Sequence, residues 1–205
     1  MLIPSLAEAE NLLTHAAALN PGPWVAHSRY VAQAAQAIAA HIPALDAETA
    51  YILGCLHDIG RQVGKTDMRH VLDGYYFLQE QGFTAAARIC LTHSFPIPNA
   101  QMAAGQWDCT AAEWEFVQNY LSQVAYTDYD RLIQLCDALA LPSGFCLMEK
   151  RLLDVALRHG VNSHMVARWQ AYLGLQQQFD QMVGGSIYRL LPGVVENTFG
   201  WETAV

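Results

Sequence analysis

Charge is scarce in this sequence, and positive charge is scarcest. Only 15% of the 205 residues are charged, with 11 Lys and Arg against 19 Asp and Glu and a net charge of −8. A general nucleic-acid binder needs a basic face to displace counterions, so that class is excluded. A small anionic substrate is not, because a local group of cations works inside an acidic shell. No stretch approaches the roughly 20 apolar residues of a membrane span, so no membrane partner is expected. The opening MLIPSLAEAENLL has neither the basic start nor the apolar run of a signal peptide. Five cysteines (Cys55, Cys90, Cys109, Cys136, Cys146) include no CxxC pair. The odd count without an export signal points to free thiols and a cytoplasmic location. Cys55, Cys90 and Cys136 are expected to be small buried wall residues. With 53% hydrophobic residues, disorder is excluded as well.

Strand-like alternation is nearly missing. The apolar spacing is helical almost throughout, which predicts an all-α chain. A first helix over about 5–19 stops before Asn20-Pro21-Gly22-Pro23, and Pro23 suits the first turn of a second helix running to about His41. Asp46 caps a third helix that continues to about Asp58, where Gly60 breaks it. Residues 61–66 read as a loop, Asp67 as the cap of a helix over about 68–81, and Thr84 as the cap of one over about 85–93. The stretch from Phe95 through 109 reads as irregular. Further helices are expected at about 110–125, 128–140, 146–159 and 163–182. Their starting residues are Thr110, then Asp128 or Asp130, and for the last Asn162 or Ser163. Pro142-Ser143-Gly144 is a break. The tail after Gly184-Gly185 packs on the surface or frays.

Against this apolar background the polar residues on inward faces stand out. His57-Asp58-Ile59-Gly60 ends the apolar helix YILGCLHDIG, and an aspartate beside a histidine at a buried helix end is costly without a partner. A metal ion removes the cost, since it takes a carboxylate and a neutral imidazole as ligands. His27 lies on the stripe His27, Val31, Ala34, Ile38, the buried face of its helix. His70 shares a face with Gly74, which lets another backbone or a ligand come close. His93 follows Ile89 by one turn, and Asp137 follows Ile133 by one turn in the nearly apolar RLIQLCDALAL. One buried histidine is more often a satisfied core residue. Four with two carboxylates are what a two-metal site requires and what packing alone does not.

The order of these residues resembles the HD-domain superfamily of metal-dependent phosphohydrolases. Its pattern is a His, a later adjacent His-Asp, and a final Asp, here His27, His57-Asp58 and Asp137, over roughly residues 22–140. His57-Asp58-Ile59-Gly60 is similar to the mark of its HDIG subgroup. His70 and His93 are placed like the two extra histidines of two-metal members, and His70-x-x-x-Gly74 resembles bacterial symmetric dinucleoside-tetraphosphate hydrolases. The resemblance implies a helical bundle, with His27, His57, Asp58 and Asp137 holding one metal and Asp58 bridging to a second held by His70 and His93. The cyclic-dinucleotide branch is disfavoured, because Thr92-His93-Ser94 replaces its His pair and its Gly-Tyr-Pro motif is absent. The implied organisation is a single domain over 1–205, with an HD metal-binding core at 22–140 and a C-terminal helical extension at 141–205. That extension covers the core or forms a face for a homodimer.

The implied activity is hydrolysis of a small phosphorylated molecule, a nucleotide being favoured, by attack of a metal-bridging hydroxide on phosphorus. So nitrogen-rich a donor set favours one or two divalent transition metals, iron or manganese first, with nickel, cobalt and zinc as alternatives. Arg61, Lys65 and Arg69 are the candidate substrate-binding cations, since Arg forks and Lys point charges hold phosphate oxygens. Asp58, Arg61 and Lys65 are the candidate catalytic residues. The loop SFPIP with Trp107 is expected to offer a surface for a base. His15, His41, His159 and His164 read as structural, Trp169, Tyr172 and Leu173 as packing, and the helices beyond 145 as free of chemistry. The rival function is a non-catalytic signalling or binding module of the same fold. Such modules lack several of the six metal-site positions, and all six are present here.

Overall fold

Three helices begin with the same local device. Ser5, Thr110 and Thr127 each accept a backbone N–H three residues on, and Glu8, Glu113 and Asp130 reach back to the cap's own N–H. These reciprocal boxes satisfy two otherwise orphaned donors apiece. In the computed structural model, which describes residues 2–201, they open α1 (Leu6–Leu19), α6 (Ala111–Gln123) and α7 (Asp128–Asp137). Asp128, one of the two expected openers, is the first residue of α7, and Thr127 caps it. Pro23 opens α2 (Pro23–Ala39), and Asp46 caps α3 (Ala47–Leu56) through the Thr49 N–H.

A 3-10 turn over Ile59–Val63 replaces the first half of the expected loop. Then come α4 (His70–Glu80), α5 (Thr84–Thr92), α8 (Met148–His159), α9 (Met165–Val183) and α10 (Val194–Phe199). Thr84 is the first residue of α5 and not its cap. Asp67 does not cap α4: its carboxylate accepts the Gln106 N–H instead. The Pro142-Ser143-Gly144 break is a two-stranded hairpin, β1 (Ala140–Leu141) with β2 (Gly144–Phe145), a detail the helical reading passed over. The tail packs: Ile187, Leu191 and Val194 are buried against the main core, and Asn197 donates to the Phe145 carbonyl.

The main core is formed by α1, α2, α3, α7, α9 and the tail. A second cluster, including Val71, Leu72, Leu91, Phe95, Val117 and Leu121, joins α4 and α5 to α6. α5 contributes to both clusters and is joined to α7 by an ion pair. Asp130 is fully buried and accepts from Arg88 Nη2 at 2.7 Å and Thr92 Oγ1 at 2.8 Å. That pair fixes the end of α5 against α7.

Gly60 matters for close approach and not as a helix breaker. A Cβ there would lie 2.1 Å from the His70 carbonyl oxygen and 2.4 Å from the Gly74 nitrogen. Gly74 in turn sits against Cys90 and the Gly60 nitrogen. The turn after α3 is therefore pressed onto the first turn of α4, with backbone on backbone. We predict that Gly60→Ala loses about 2–3 kcal/mol, the scale of overpacking. Gly174→Ala, in α9 with open space around it, should gain roughly 0.5–1 kcal/mol from helix propensity. Urea midpoints check both, and a Gly60→Ala protein as stable as wild type would show that the close approach is dispensable.

Candidate metal centre

Each histidine of the expected set is delivered by a helix terminus or a buried stripe. His27 lies on the inner face of α2, and His57 and Asp58 directly follow α3. His70 is the first residue of α4, His93 directly follows α5, and Asp137 is the last residue of α7. All four histidines and Asp58 are buried. Their rings form a connected row, with centroids 5.3 Å apart for His27–His57, 4.9 Å for His57–His93 and 5.5 Å for His70–His93.

Backbone carbonyls orient three of the rings. His57 Nδ1 donates to Gly54 O at 2.7 Å, His93 Nδ1 to Cys90 O at 3.0 Å, and His70 Nδ1 to Asp67 O. With the proton on Nδ1, each Nε2 presents a lone pair, the tautomer a metal ligand needs. Those lone pairs face a carboxylate that can only accept, and Arg61 Nη2 approaches the His70 Nε2 at 3.4 Å. Asp58 Oδ1 lies 3.2 Å from His70 Nε2 and 3.5 Å from His93 Nε2, and Asp58 Oδ2 lies 3.9 Å from His57 Nε2. His57 Nε2 and Asp58 Oδ1 are buried without a hydrogen-bond partner. Acceptors facing acceptors in a dry site repel one another unless a cation sits among them.

The donors fall into two triads that share Asp58. Donor atoms of His27, His57 and Asp58 lie within 4.8 Å of one another, and so do those of Asp58, His70 and His93. Asp137 stands just outside the first triad: its Oδ1 is 2.9 Å from His27 Nε2, and Arg151 Nη2 approaches the same oxygen at 3.3 Å. The donor set, its tautomers and its orphaned atoms fit divalent transition metal.

The electrostatics are consistent with that fit. Burial drives His57 down to about 4, and burial with Arg61 nearby drives His70 down to about 3, so both are neutral at physiological pH. Burial would raise Asp58, but the Arg61 guanidinium outweighs it and holds the carboxyl well below the usual range. Burial is likewise outweighed at Asp137, where the His27 hydrogen bond and Arg151 keep it ionised. The cation that Asp58 meets in this structure is Arg61, whose Nε donates to Oδ2 at 2.6 Å.

The centre opens into a cavity of about 700 Å³. Arg61 and Lys65 line it, and Lys65 is exposed at its rim. Arg69 does not line it and is a correction. Adjacent helical residues differ by about 100° in direction, so with His70 turned inward Arg69 faces α6 and pairs with Glu113 at 3.2 Å and Asp73 at 3.3 Å. The aromatic surface expected from SFPIP and Trp107 is also corrected. Phe95 is fully buried and stacks on Trp107 at 6.0 Å, and the Trp107 indole donates to Ala100 O. The aromatic rings on the cavity wall belong to Trp24, Trp169 and Tyr172.

Nor are the helices beyond 145 free of chemistry. Arg151, Asp154, Arg158 and His159 of α8 and Arg168 of α9 line the same cavity, and His159 Nδ1 lies 3.6 Å from Asp67. The only sequence signal for them was the run of basic residues along α8 and α9, indistinguishable there from a solvated face.

A family model described as HD domain matches residues 24–141, more than half of the chain and a span that contains all six expected ligands. No curated protein and no solved structure matches the chain.

Two outcomes follow from this geometry. Elemental analysis should find one or two transition-metal ions per chain. Asp58→Ala should lose both, and His70→Ala or His93→Ala should lose mainly one. Full metal content in His70→Ala would return His70 to the core. Metal-free protein should also lose stability in acid. The folded values of His57 and His70 lie below the unfolded 6.5. The unfolded chain therefore takes up protons first, and stability present above pH 6.5 is lost as pH falls towards 3–4. Each imidazole contributes up to about 1.4 kcal/mol per pH unit. Denaturant melts from pH 7 to 5 check this, and a flat profile would contradict neutral burial.

Proposed function

The chain belongs to the HD domain family, and from that membership we propose that it is a metal-dependent phosphohydrolase acting on a small phosphorylated molecule, a nucleotide being the favoured class. The observation that carries this reading is the set of imidazole Nε2 atoms facing Asp58 without protons between them. Iron or manganese is the favoured metal. When bound, the metal supplies Lewis acidity towards phosphoryl oxygens and makes water acidic.

The chain's own residues do the rest. The Nδ1–carbonyl bonds of His57, His70 and His93 hold the rings in one tautomer and one orientation. Asp58 joins the two triads. Arg61 and Lys65 bind phosphoryl oxygens at the mouth of the centre, Arg61 through its guanidinium fork and Lys65 as a point charge. Trp24, Trp169 and Tyr172 give a base or other flat group an apolar wall. The net charge of −8 disfavours a polymeric nucleic acid. His57-Asp58-Ile59-Gly60 and His70-x-x-x-Gly74 support a reading in which the chain falls in the HDIG subgroup near the symmetric dinucleoside-tetraphosphate hydrolases. A cytoplasmic location belongs to the same reading.

The test compares rates on nucleotides, dinucleoside polyphosphates, sugar phosphates and single-stranded DNA with metal-loaded protein. Lys65→Ala, which breaks no ion pair among the described residues, should lower kcat/KM by about tenfold, the scale of one charge-assisted hydrogen bond. Arg61→Ala should do at least as much. Activity confined to the polymer would defeat the substrate class, and indifference to both substitutions would remove these residues from phosphate binding.

A further inference from the structure

Arg168 is a buried arginine that no carboxylate neutralises among the described residues. It is 6% exposed, it lines the cavity, and its Nε has no hydrogen-bond partner. Among the described residues no carboxylate pairs with it. The neighbouring cations are different. Arg151 reaches Asp137 at 3.3 Å and Asp154 at 3.2 Å, and Arg158 reaches the same Asp154 oxygen at 2.9 Å. Apart from Asp137, which belongs to the metal centre, the wall formed by α8 and α9 carries three guanidinium groups and one carboxylate.

A buried ion without a partner is costly, and a sequence with so few charges has no general reason to keep one there. Packing is a weak reason too, because Arg168 sits at a cavity surface where an uncharged residue would serve. A guanidinium held in a partly dry cavity beside the Tyr172 side chain, with its Nε unclaimed and no carboxylate paired to it among the described residues, is instead the arrangement that takes an oxyanion in a fork.

We infer that Arg168, supported by Arg151 and Arg158, forms an oxyanion subsite separate from the metal centre, and that the substrate carries a second phosphate-type group which this subsite holds. The subsite rests on the proposed hydrolase reading only for the word substrate; the anion binding itself does not depend on it. It lies on helices outside the family match at 24–141. It is therefore a property of this chain's extension, and it selects a bisphosphate or polyphosphate over a monophosphate.

The experiment is calorimetric titration of the full-length, metal-loaded protein with inorganic phosphate. Wild type should bind two phosphates, and Arg168→Gln should bind one. Arg158→Gln should weaken the same site by severalfold and leave the other unchanged. Arg168→Gln should also melt no lower than wild type in phosphate-free buffer, since an unpaired buried cation does not stabilise the fold. One phosphate in wild type that persists in Arg168→Gln would overturn the subsite and leave the metal reading standing. One phosphate that is lost in Arg168→Gln and is indifferent to a chelator would keep the subsite and sink the metal reading. If Arg168→Gln fails to fold, the residue is structural, and an unchanged two-site titration in Arg158→Gln then ends the proposal.

Discussion

Two carboxylates in an apolar helical interior set the terms for the rest of this structure. Asp58 is buried at the end of α3, and Asp137 lies at the end of α7 beside it. Neither stays ionised there without positive charge or donors around it. The histidines do not supply that charge at Asp58. Their Nδ1 protons are committed to backbone carbonyls, and burial keeps His57 and His70 neutral. Arg61 supplies part of it through the 2.6 Å bond. The remaining need at Asp58 is what a metal would meet. The bundle is arranged to hold that geometry: Gly60 and Gly74 allow the turn after α3 to touch α4, and Arg88 with Asp130 locks α5 to α7.

Much of this was legible in the sequence because it is local. The His57-Asp58 pair announces itself at the end of an apolar helix, and His27 and Asp137 stand out on otherwise apolar stripes. Helix positions followed from spacing and from caps such as Asp46. The contents of the cavity were not local. Arg61, Lys65 and Arg69 look alike as a basic run, yet only the first two face the cavity, because helix geometry sends Arg69 to Glu113. Trp107 read as an exposed flat surface, while its partner Phe95 makes it part of a packed core. Gly60 read as a breaker, since its neighbours at His70 and Gly74 are brought there only by tertiary packing.

The larger omission concerns the C-terminal extension. On α8, Arg151 and Arg158 sit about one and about three turns along an amphipathic helix, where charged residues usually face water. Their partner Asp154 is close in sequence, but the cavity they border is closed by residues more than a hundred positions earlier. Nothing in a single sequence distinguishes such a wall from a solvated face. The division of labour that results is simple. The family-matched segment carries the candidate metal ligands, and the helices after it add cations and rings to the wall of the same cavity.

Anomalous diffraction from crystals grown with manganese addresses the central claim directly. The account predicts anomalous peaks bounded by Asp58 and the Nε2 atoms of His57, His70 and His93, with Arg61 moved off Asp58 Oδ2. Crystals that keep the Arg61–Asp58 bond intact, with no anomalous density among these four residues, would contradict it.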